Sequence, residues 1–541
     1  MTAARRPAAT KEPGPARAGR TCERLADAVD ARLPVVDGGG RMLRKAFPDH
    51  WSFLLGEIAL YSLILLVLTG VWLTLFFHPE MREVVYDGRY VPLRGVRMSA
   101  AFDSTLHISF DVRGGLLIRQ THHWAALVFV AAIGLHLLRI FFTGAFRRPR
   151  EVNWLIGVTL FMLALAEGFA GYSLPDDLLS GTGLRIAQGI MLSIPVVGTY
   201  LSMFVFGGQF PGQDLVPRLY GLHILLLPGV LIALVTLHLI LVVHLKHTQW
   251  RGPGRSNRNA VGKPFFPQFA ASSGGLSLMV LGVLVLLGGL AQINPVWVYG
   301  PYRPDQASTG SQPDWYVGFL EGALRLVPPW ETTIAGHTLM WNVLLPAVVL
   351  PGLLFLVLCL YPFVEQRLTG EAAHEQHLCD RPRERPVRTG LGVAGITFYG
   401  VLLLAGGNDV TAQTFRISIN TLTWVLRIAL VVGPVIAFLI TRQLCLALLH
   451  AERERLAEGE ETGEVRQTVE GGYESGHRPV EDFRPGAPRT PLEAGLAEGG
   501  DEGGDEGGHE GGEEVGGEVS PDDGRTGTPS PRPPAPAPRN R

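Results

Sequence analysis

Apolar stretches of membrane-spanning length dominate the middle of the chain. Most of them reach the roughly 20 residues that a helix needs to cross the hydrocarbon core of a bilayer. A helix satisfies its own backbone hydrogen bonds, which lipid cannot do. The stretches lie at residues 52–77, 116–142, 154–176, 218–245, 275–292, 341–362, 390–407 and 421–447. The pattern therefore predicts an all-α polytopic membrane protein with eight transmembrane helices.

The two ends of the chain have a different composition. Residues 1–45 are rich in Ala, Arg, Pro and Gly, and the chain becomes acidic and glycine-rich from about residue 451. Such segments bury too little apolar surface to offset the entropy of ordering. We predict disordered termini at 1–45 and 451–541. Between them we expect two membrane domains, 46–250 with spans one to four and 251–450 with spans five to eight.

Composition and charge exclude several classes of protein. The 541 residues are 47% hydrophobic and 18% charged, whereas soluble domains carry about 25% charged residues. The formal net charge of −2 gives no support to a nucleic-acid partner. The four cysteines are far apart and form no Cys-x-x-Cys motif. This argues against a thiolate zinc site, a disulfide framework or a covalently attached haem.

Charged loops predict the orientation. With eight spans, both termini lie on one side together with loops 145–153, 246–274 and 363–390. These loops are richer in Lys and Arg than the four loops on the other face, and positive loops stay in the cytoplasm. We predict a multi-pass plasma-membrane protein with both termini cytoplasmic.

Histidines inside two apolar spans are the strongest chemical signal, because ionisable side chains in lipid are costly and usually functional. The second span carries His122 and His136, 14 residues apart, and the fourth carries His223 and His238, 15 residues apart. At about 100° and 1.5 Å per residue, each pair stays near one helix face and spans about 21–22 Å.

The two helices run in the same direction, so the histidines pair by depth. His122 would meet His223 near the outer face, and His136 would meet His238 near the inner face. Facing imidazoles are one way to hold a haem iron. Two pairs at matching depths favour a di-haem four-helix bundle, followed by four further spans, over isolated packing histidines. His123 remains an alternative ligand beside His122.

Glycines and arginines support the same interpretation. Glycines in the first and third spans repeat the 14-residue interval and could admit a flat ring, although small residues also serve helix packing; they are Gly56, Gly70, Gly157 and Gly171. Three arginines lie three to five residues from a histidine and suit the propionate carboxylates of a haem; they are Arg119, Arg139 and Arg218. Arg139 could equally be a topology anchor.

These residues together resemble the cytochrome b family of bc1 and b6f complexes. The shared features are Arg-x-x-His and His-x-x-Arg on the second span, the two histidines of the fourth span, GYSLPDD at 171–177 and SIPVVGT at 193–199. The PDWY motif, Pro313–Tyr316, resembles the PEWY element that lines a quinol-oxidation site. The stretch at 288–304 and the long polar tail are similar to actinobacterial-type cytochrome bcc complexes, over about residues 45–450.

The resemblance implies a quinol:cytochrome c oxidoreductase subunit. It implies a low-potential haem at His122 and His223, a high-potential haem at His136 and His238, and menaquinol as substrate. One electron would pass to a Rieske iron–sulfur subunit, and the other would cross both haems to menaquinone at the cytoplasmic face, with net proton translocation. A cytochrome c subunit, a terminal cytochrome oxidase and a dimeric assembly are further implied partners.

The resemblance also suggests residues for the two quinone sites. Asp314 is the candidate base, although a turn or capping role is the alternative. Its expected neighbours in the outer pocket are Pro313, Trp315, Tyr316 and Tyr172. The inner site lacks the Lys-Asp pair typical of bc1 proteins in 265–273. That leaves three candidate donors there, which are His244, Lys246 and His247.

Two other functions stay open. A di-haem anchor of another dehydrogenase would keep the four histidines but would not need the PDWY motif. A histidine-relay membrane transporter would need polar residues at successive depths. The spans contain few acidic groups besides Glu57 and Glu167, which argues against a relay.

Overall fold

Eight long apolar helices form the body of the protein, as the hydropathy pattern predicts. The computed structural model describes residues 43–208, 210–306, 312–370 and 374–478. The membrane helices are α1 (Trp51–Thr74), α2 (Gly115–Phe142), α3 (Glu151–Tyr172), α4 (Leu215–His244), α5 (Phe265–Leu290), α6 (Trp341–Thr369), α7 (Pro386–Gly406) and α8 (Ile419–Glu458). The chain is therefore an integral membrane protein.

The outward faces of these helices are apolar. In α1, for example, Leu68 and Val71 are each more than 60% exposed. Large apolar surfaces of this kind are unfavourable in water but match the hydrocarbon of a bilayer. The buried side chains of α1 include the small or polar Ala59, Ser62 and Thr69, as is typical of packing between membrane helices.

The helices pack in neighbouring sets. α1 lies along α2, α5 contacts both of them, α3 packs against α4, and α7 packs against α8. Glycines permit the closest approaches: Gly288 of α5 lies against Thr121 of α2, and Gly322 lies against the carbonyl oxygen of Leu402 in α7. A larger side chain at either glycine would collide with backbone atoms of the neighbouring helix.

Shorter elements fill the loops. The short helices are Val91–Leu93, Ala100–Phe110, Leu178–Leu192, Gly198–Phe206, Val296–Tyr299, Gly318–Leu326, Pro382–Glu384 and Asn408–Phe415. Within the described ranges, four antiparallel strand pairs join Ala46–Phe47 to Lys263–Pro264, Glu83–Val85 to Arg97–Ser99, Glu331–Ile334 to His337–Met340, and Glu460–Gln467 to Tyr473–Arg478.

The predicted start of the C-terminal tail at residue 451 needs correction. α8 continues to Glu458, and a strand pair follows to Arg478. The sequence AERERLAE consists of good helix formers, and His450 pairs with Glu454 one turn on at 3.1 Å. Polar composition alone therefore misplaced this boundary. The rest of the predicted tail, 479–541, and residues 1–42 of the N-terminal segment lie outside the described residues.

A buried ion network joins the loops on the side predicted to be cytoplasmic. The carboxylate of Asp380 lies 3.1 Å from Arg147 and 2.9 Å from Arg388, and its side chain is 2% exposed. Arg385 and Arg251 approach the same carboxylate at 3.2 and 3.6 Å. The network connects the loops that follow α2, α4 and α6 to the start of α7.

Candidate haem and quinol site

The structure brings His122 of α2 next to His223 of α4, as the spacing predicts. Their ring centroids are 6.3 Å apart, with an angle of 79° between the planes. Imidazole nitrogens bind a metal ion at about 2 Å. The separation therefore leaves room for one metal ion between the two rings. His136 and His238 occupy the other ends of the same two helices.

A wide turn in α4 explains the unequal histidine intervals. Residues Leu222–Leu226 form a π turn, in which the N–H of Leu227 donates to the carbonyl oxygen of Leu222. Pro228 follows directly and has no N–H to continue the regular pattern. A π turn takes in one residue more than an α turn and is common at functional sites.

This turn changes which face the second histidine occupies. An unbroken α-helix would rotate His238 about 60° from His223 over 15 residues. Because His223 lies inside the π turn, the extra residue is absorbed there. The 15-residue interval on α4 then covers about the same rotation as the 14-residue interval between His122 and His136.

Each predicted glycine faces a different predicted ligand. A Cβ atom placed on Gly56 would lie 3.1 Å from His136, and one on Gly70 would lie 3.3 Å from His122. A Cβ atom placed on Gly157 would lie 3.9 Å from the ring of His238, and one on Gly171 would overlap the ring of His223. The glycines of α1 and α3 therefore make space for the imidazole rings themselves, a more specific role than the admission of a flat ring.

Arg119 and Arg139, the two predicted arginines of α2, each have a guanidinium N–H group that no described residue accepts. The guanidinium of Arg119 lies 5.6 Å from the ring centroid of Trp297, and that of Arg139 lies 4.3 Å from the ring of Phe53. Among the described residues, neither buried Nε atom has a hydrogen-bond partner. Unused buried guanidinium donors near both histidine pairs fit the carboxylates of two haems.

Arg218, the third predicted arginine, is engaged elsewhere. Its Nη2 atom donates to Asp214 at 3.3 Å, its Nη1 atom donates to the carbonyl oxygen of Phe204, and its side chain is half exposed. The five-residue spacing between Arg218 and His223 could not reveal these two contacts. Asp214 directly precedes α4, and Phe204 belongs to the short helix before it.

The PDWY motif lies against the second histidine of the His122–His123 pair. The Nε2 atom of His123 lies 3.1 Å from Asp314 Oδ1, and the hydroxyl of Tyr316 donates to Asp314 Oδ2 at 3.1 Å. Tyr316 is buried against Gly168 of α3. Burial, and then the negative charge of Asp314, raise the pKa of Tyr316 well above its usual range. It therefore stays a neutral hydrogen-bond donor.

The other predicted residues of this pocket lie nearby in sequence or at the end of α3. Trp315 is 39% exposed, and Pro313 is half-buried beside it. Tyr172 ends α3, and among the described residues its buried hydroxyl has no hydrogen-bond partner. A buried hydroxyl of this kind can bind a polar group of a substrate.

Comparison with known proteins identifies the family. The family described as Cytochrome b(N-terminal)/b6/petB matches residues 127–301. The chain is 53% identical to the cytochrome bc1 complex cytochrome b subunit of Streptomyces coelicolor, over 88% of this chain and 87% of that one. The chain belongs to this cytochrome b family. The subunit of Mycobacterium tuberculosis strain H37Rv is also 53% identical, over 86% of this chain and 84% of its own.

A more distant solved structure has the same fold as this cytochrome b. A chain of a hyperthermophilic respiratory Complex III matches with a TM-score of 0.58 and 21% identity, over 77% of this cytochrome b and 98% of that chain. The predicted membrane fold, family and class of oxidoreductase subunit are thereby confirmed. The bc1 relatives favour a subunit of a bc1 complex over the di-haem anchor of another dehydrogenase and over the histidine-relay transporter.

The face of this cytochrome b that is predicted to be cytoplasmic carries an aromatic cluster. The ring of His247 lies 4.4 Å from that of Phe47, which also packs against Phe265 and Phe269. Among the described residues, His247 Nε2 is buried without a hydrogen-bond partner. Burial, reinforced by the charges of Lys45 and Arg150, lowers the pKa of His247 to about 4.

The other two inner candidates differ from His247. His244 and Lys246 are exposed, and the carbonyl oxygen of Lys246 accepts a hydrogen bond from Arg150 at 3.0 Å. Of the three predicted donors, His247 therefore lies in an apolar environment suited to a quinone ring. Phe47, before α1, was missed by the sequence analysis because its contact with the end of α4 is purely tertiary.

Proposed function

We propose that this cytochrome b chain oxidises menaquinol near the outer face of the plasma membrane and reduces menaquinone near the cytoplasmic face. His122 and His223 would hold one b-type haem, and His136 and His238 the other. The observation that carries the proposal is the contact of Asp314 with His123. It connects a possible proton acceptor to the direct chain neighbour of a haem ligand.

Oxidation of a quinol releases two protons and two electrons, so the outer site needs a base close to an electron acceptor. The carboxylate of Asp314 would accept a hydroxyl proton, and His123, 3.1 Å away, would receive it next. The hydroxyl of Tyr316 fixes the orientation of the carboxylate. Tyr172 and Trp315 would line the pocket around the quinol.

Two haems would supply one-electron carriers between the two faces. The second electron of each quinol needs another acceptor, and within the described part of the chain no three or more His, Cys, Asp or Glu side chains form a group that could hold a metal ion. We assign that role to a Rieske subunit, followed by a cytochrome c subunit and a terminal oxidase. The dimeric assembly and the cytoplasmic position of both termini belong to the same proposal.

His247 is our candidate donor at the inner site. A neutral imidazole can donate a hydrogen bond to a quinone carbonyl, and its low pKa keeps it neutral at physiological pH. The aromatic side chains of Phe47, Phe265 and Phe269 would contact the quinone ring.

A pyridine haemochrome assay on the purified complex tests the proposal. We expect two b-type haems per wild-type chain and one fewer in His122→Ala and in His238→Ala. Quinol oxidation should also require the Rieske subunit. A folded wild-type chain without haem would refute the proposal and favour the histidine relay, and two haems with turnover independent of a Rieske subunit would favour the di-haem anchor.

A further inference from the structure

The four predicted ligands differ in what surrounds their second ring nitrogen. His223 Nδ1 lies 3.0 Å from the carboxylate of Glu167, and His122 Nδ1 lies 2.9 Å from the hydroxyl of Thr69. For His136 and His238, no side chain among the described residues accepts a hydrogen bond from Nδ1. Side-chain oxygen atoms therefore lie beside Nδ1 in the outer pair and, among the described residues, not in the inner pair. The backbone carbonyl oxygen of Glu167 is also 3.2 Å from His223 Nδ1.

Glu167 is well placed to hold His223. It lies on α3 one turn before Gly171, the glycine that faces the same ring. The carboxylate and the imidazole are each less than a fifth exposed. Within the described ranges, the second carboxylate oxygen of Glu167 is buried without a hydrogen-bond partner.

The hydroxyl of Thr69 has a defined direction. It donates to the carbonyl oxygen of Leu65 at 2.7 Å, so its oxygen is an acceptor toward His122 Nδ1. Both outer ligands can therefore donate Nδ1–H to an oxygen atom in the tautomer that leaves Nε2 for a metal ion. The acceptors for His223 are the carboxylate and the backbone carbonyl oxygen of Glu167, whereas the acceptor for His122 is a hydroxyl oxygen.

We propose that Glu167 is a positioning residue that lowers the reduction potential of the outer haem relative to the inner haem. The inference rests on the proposed function, because it needs both haems. An acceptor on Nδ1–H fixes the imidazole tautomer and makes the ligating nitrogen more electron-rich. A more electron-rich ligand, with a buried negative charge beside it, favours ferric over ferrous iron.

The consequence concerns the direction of electron flow. Bound at these two histidine pairs, the haems would exchange single electrons, the outer iron being oxidised as the inner iron is reduced, with no atom transferred. A lower potential at the outer pair makes transfer from the outer to the inner haem favourable. The charge of Glu167 would thus supply part of the driving force across the membrane.

Redox titration of the two haems in the purified complex tests this role, with Glu167→Gln as the principal variant. The amide keeps the shape of the side chain and removes its charge. We expect the ratio of reduced to oxidised outer haem at a fixed ambient potential to rise about tenfold, which is about 59 mV for one electron. The inner haem should titrate as in the wild type.

Glu151→Gln is the matched control on the same helix. Glu151 accepts a hydrogen bond from Gln366 at 2.7 Å and lies at the opposite end of α3. Both haems of this variant should keep wild-type potentials. An equal shift of both haems in Glu167→Gln, or no shift in either, would overturn the proposal.

Thr69→Val provides a second variant if Glu167→Gln fails to retain the outer haem. It removes the neutral acceptor on His122 and should raise the outer potential by a smaller amount. Unchanged haem potentials in Thr69→Val would mean that side-chain acceptors on Nδ1–H do not set the outer potential, which would overturn the proposal. Absence of haem from the wild-type complex would instead count against the proposed function, so the two failures are distinguishable.

Discussion

Adjacent histidines on α2 have different neighbours. The ring of His122 lies beside His223, whereas His123 lies 3.1 Å from Asp314. Successive residues of an α-helix differ by about 100° in direction, so two neighbouring side chains reach different parts of the molecule. In the proposed function, one span thereby serves an electron carrier and a proton acceptor at the same depth.

Asp314→Asn tests the proton acceptor. The amide keeps the hydrogen bond from Tyr316 but cannot accept a proton, so quinol oxidation should fall by about 100-fold or more. The haem content should stay at two per chain, because no predicted ligand is changed. Steady-state menaquinol oxidation and haem spectra measure both effects.

Asp305→Asn is the control for this experiment. Asp305 lies in the same loop and is exposed, with a weak ion pair to Arg303 at 3.7 Å, so its loss should leave the rate unchanged. A rate for Asp314→Asn within twofold of the wild type would contradict the assigned role.

Asp176 should make stability depend on pH. Burial raises the pKa of its carboxyl to about 7, above the usual value of about 3.9. The folded state therefore binds a proton that the unfolded chain releases, and stability falls as pH rises from about 4 through 7. Asp176→Asn should unfold at a higher temperature than the wild type at pH 8 and at a similar temperature at pH 5.

The backbone of Asp176 suits this test, because its φ of 55° is tolerated by asparagine. Thermal unfolding of the detergent-solubilised complex at both pH values measures the difference. Asp87→Asn, at an exposed loop position, should leave the pH dependence unchanged. Parallel curves for the wild type and Asp176→Asn would show that the buried carboxyl is not responsible.

At the residue scale, the sequence predicted pairs that depend on spacing and missed contacts that depend on tertiary structure. His122 and His223 could be matched because depth follows from position in a span. The contact between His123 and Asp314 joins residues 191 positions apart, and no periodic pattern encodes it. The 100° offset of His123 from His122 was the one available hint.

At the scale of elements, hydropathy located all eight helices but not all of their ends. α5 begins at Phe265, ten residues before the predicted 275, but Phe266 has an extended backbone and Pro267 follows it, so the regular helix starts beyond this kink. The following Ser-Gly-rich segment hid this part of the helix from a hydropathy pattern. Proline also adjoins the wide turns of α4 and α6, so these irregularities have a covalent cause.

Substitution of two glycines on α3 compares close and ordinary helix contacts. Gly171→Ala places a methyl group against the ring of His223 and should lower the outer haem content, whereas Gly157→Ala adds a methyl group at an ordinary distance of 3.9 Å. Alanine favours a helix over glycine by about 1 kcal/mol at either position, so helix propensity cannot explain a loss.

Pyridine haemochrome spectra measure the haem content of both variants. Gly157→Ala should retain two haems per chain and serves as the matched control for Gly171→Ala. Full haem content in Gly171→Ala would mean that His223 can move away from α3 without losing its role.

At the scale of the whole molecule, the ion network around Asp380 connects distant parts of the chain. Asp380→Asn would leave Arg147 and Arg388 buried without this carboxylate. Loss of one partner of a buried ion pair costs about 3–5 kcal/mol, so the variant should unfold at a clearly lower temperature or fail to accumulate. Thermal unfolding in detergent and the amount of assembled complex provide the measurements.

Glu80→Gln is the corresponding surface control. Glu80 forms an exposed ion pair with Arg82 at 3.4 Å, and such pairs contribute about 1 kcal/mol or less. Equal unfolding temperatures for Asp380→Asn and Glu80→Gln would mean that the network contributes little stability. The sequence indicated only that these loops are basic, because a carboxylate that gathers four arginines from three loops and the start of α7 is a property of the folded chain.

The π turn of α4 has a consequence for insertions and deletions. In a regular membrane helix, loss of one residue turns everything beyond it by about 100° and shortens it by about 1.5 Å. Loss of one residue within 224–226, after His223, would instead convert the wide turn into an ordinary one and leave the rest of the helix in place. α4 can thus change length by one residue without moving His238 relative to His223, whereas α2, which has no such turn between its histidines, cannot.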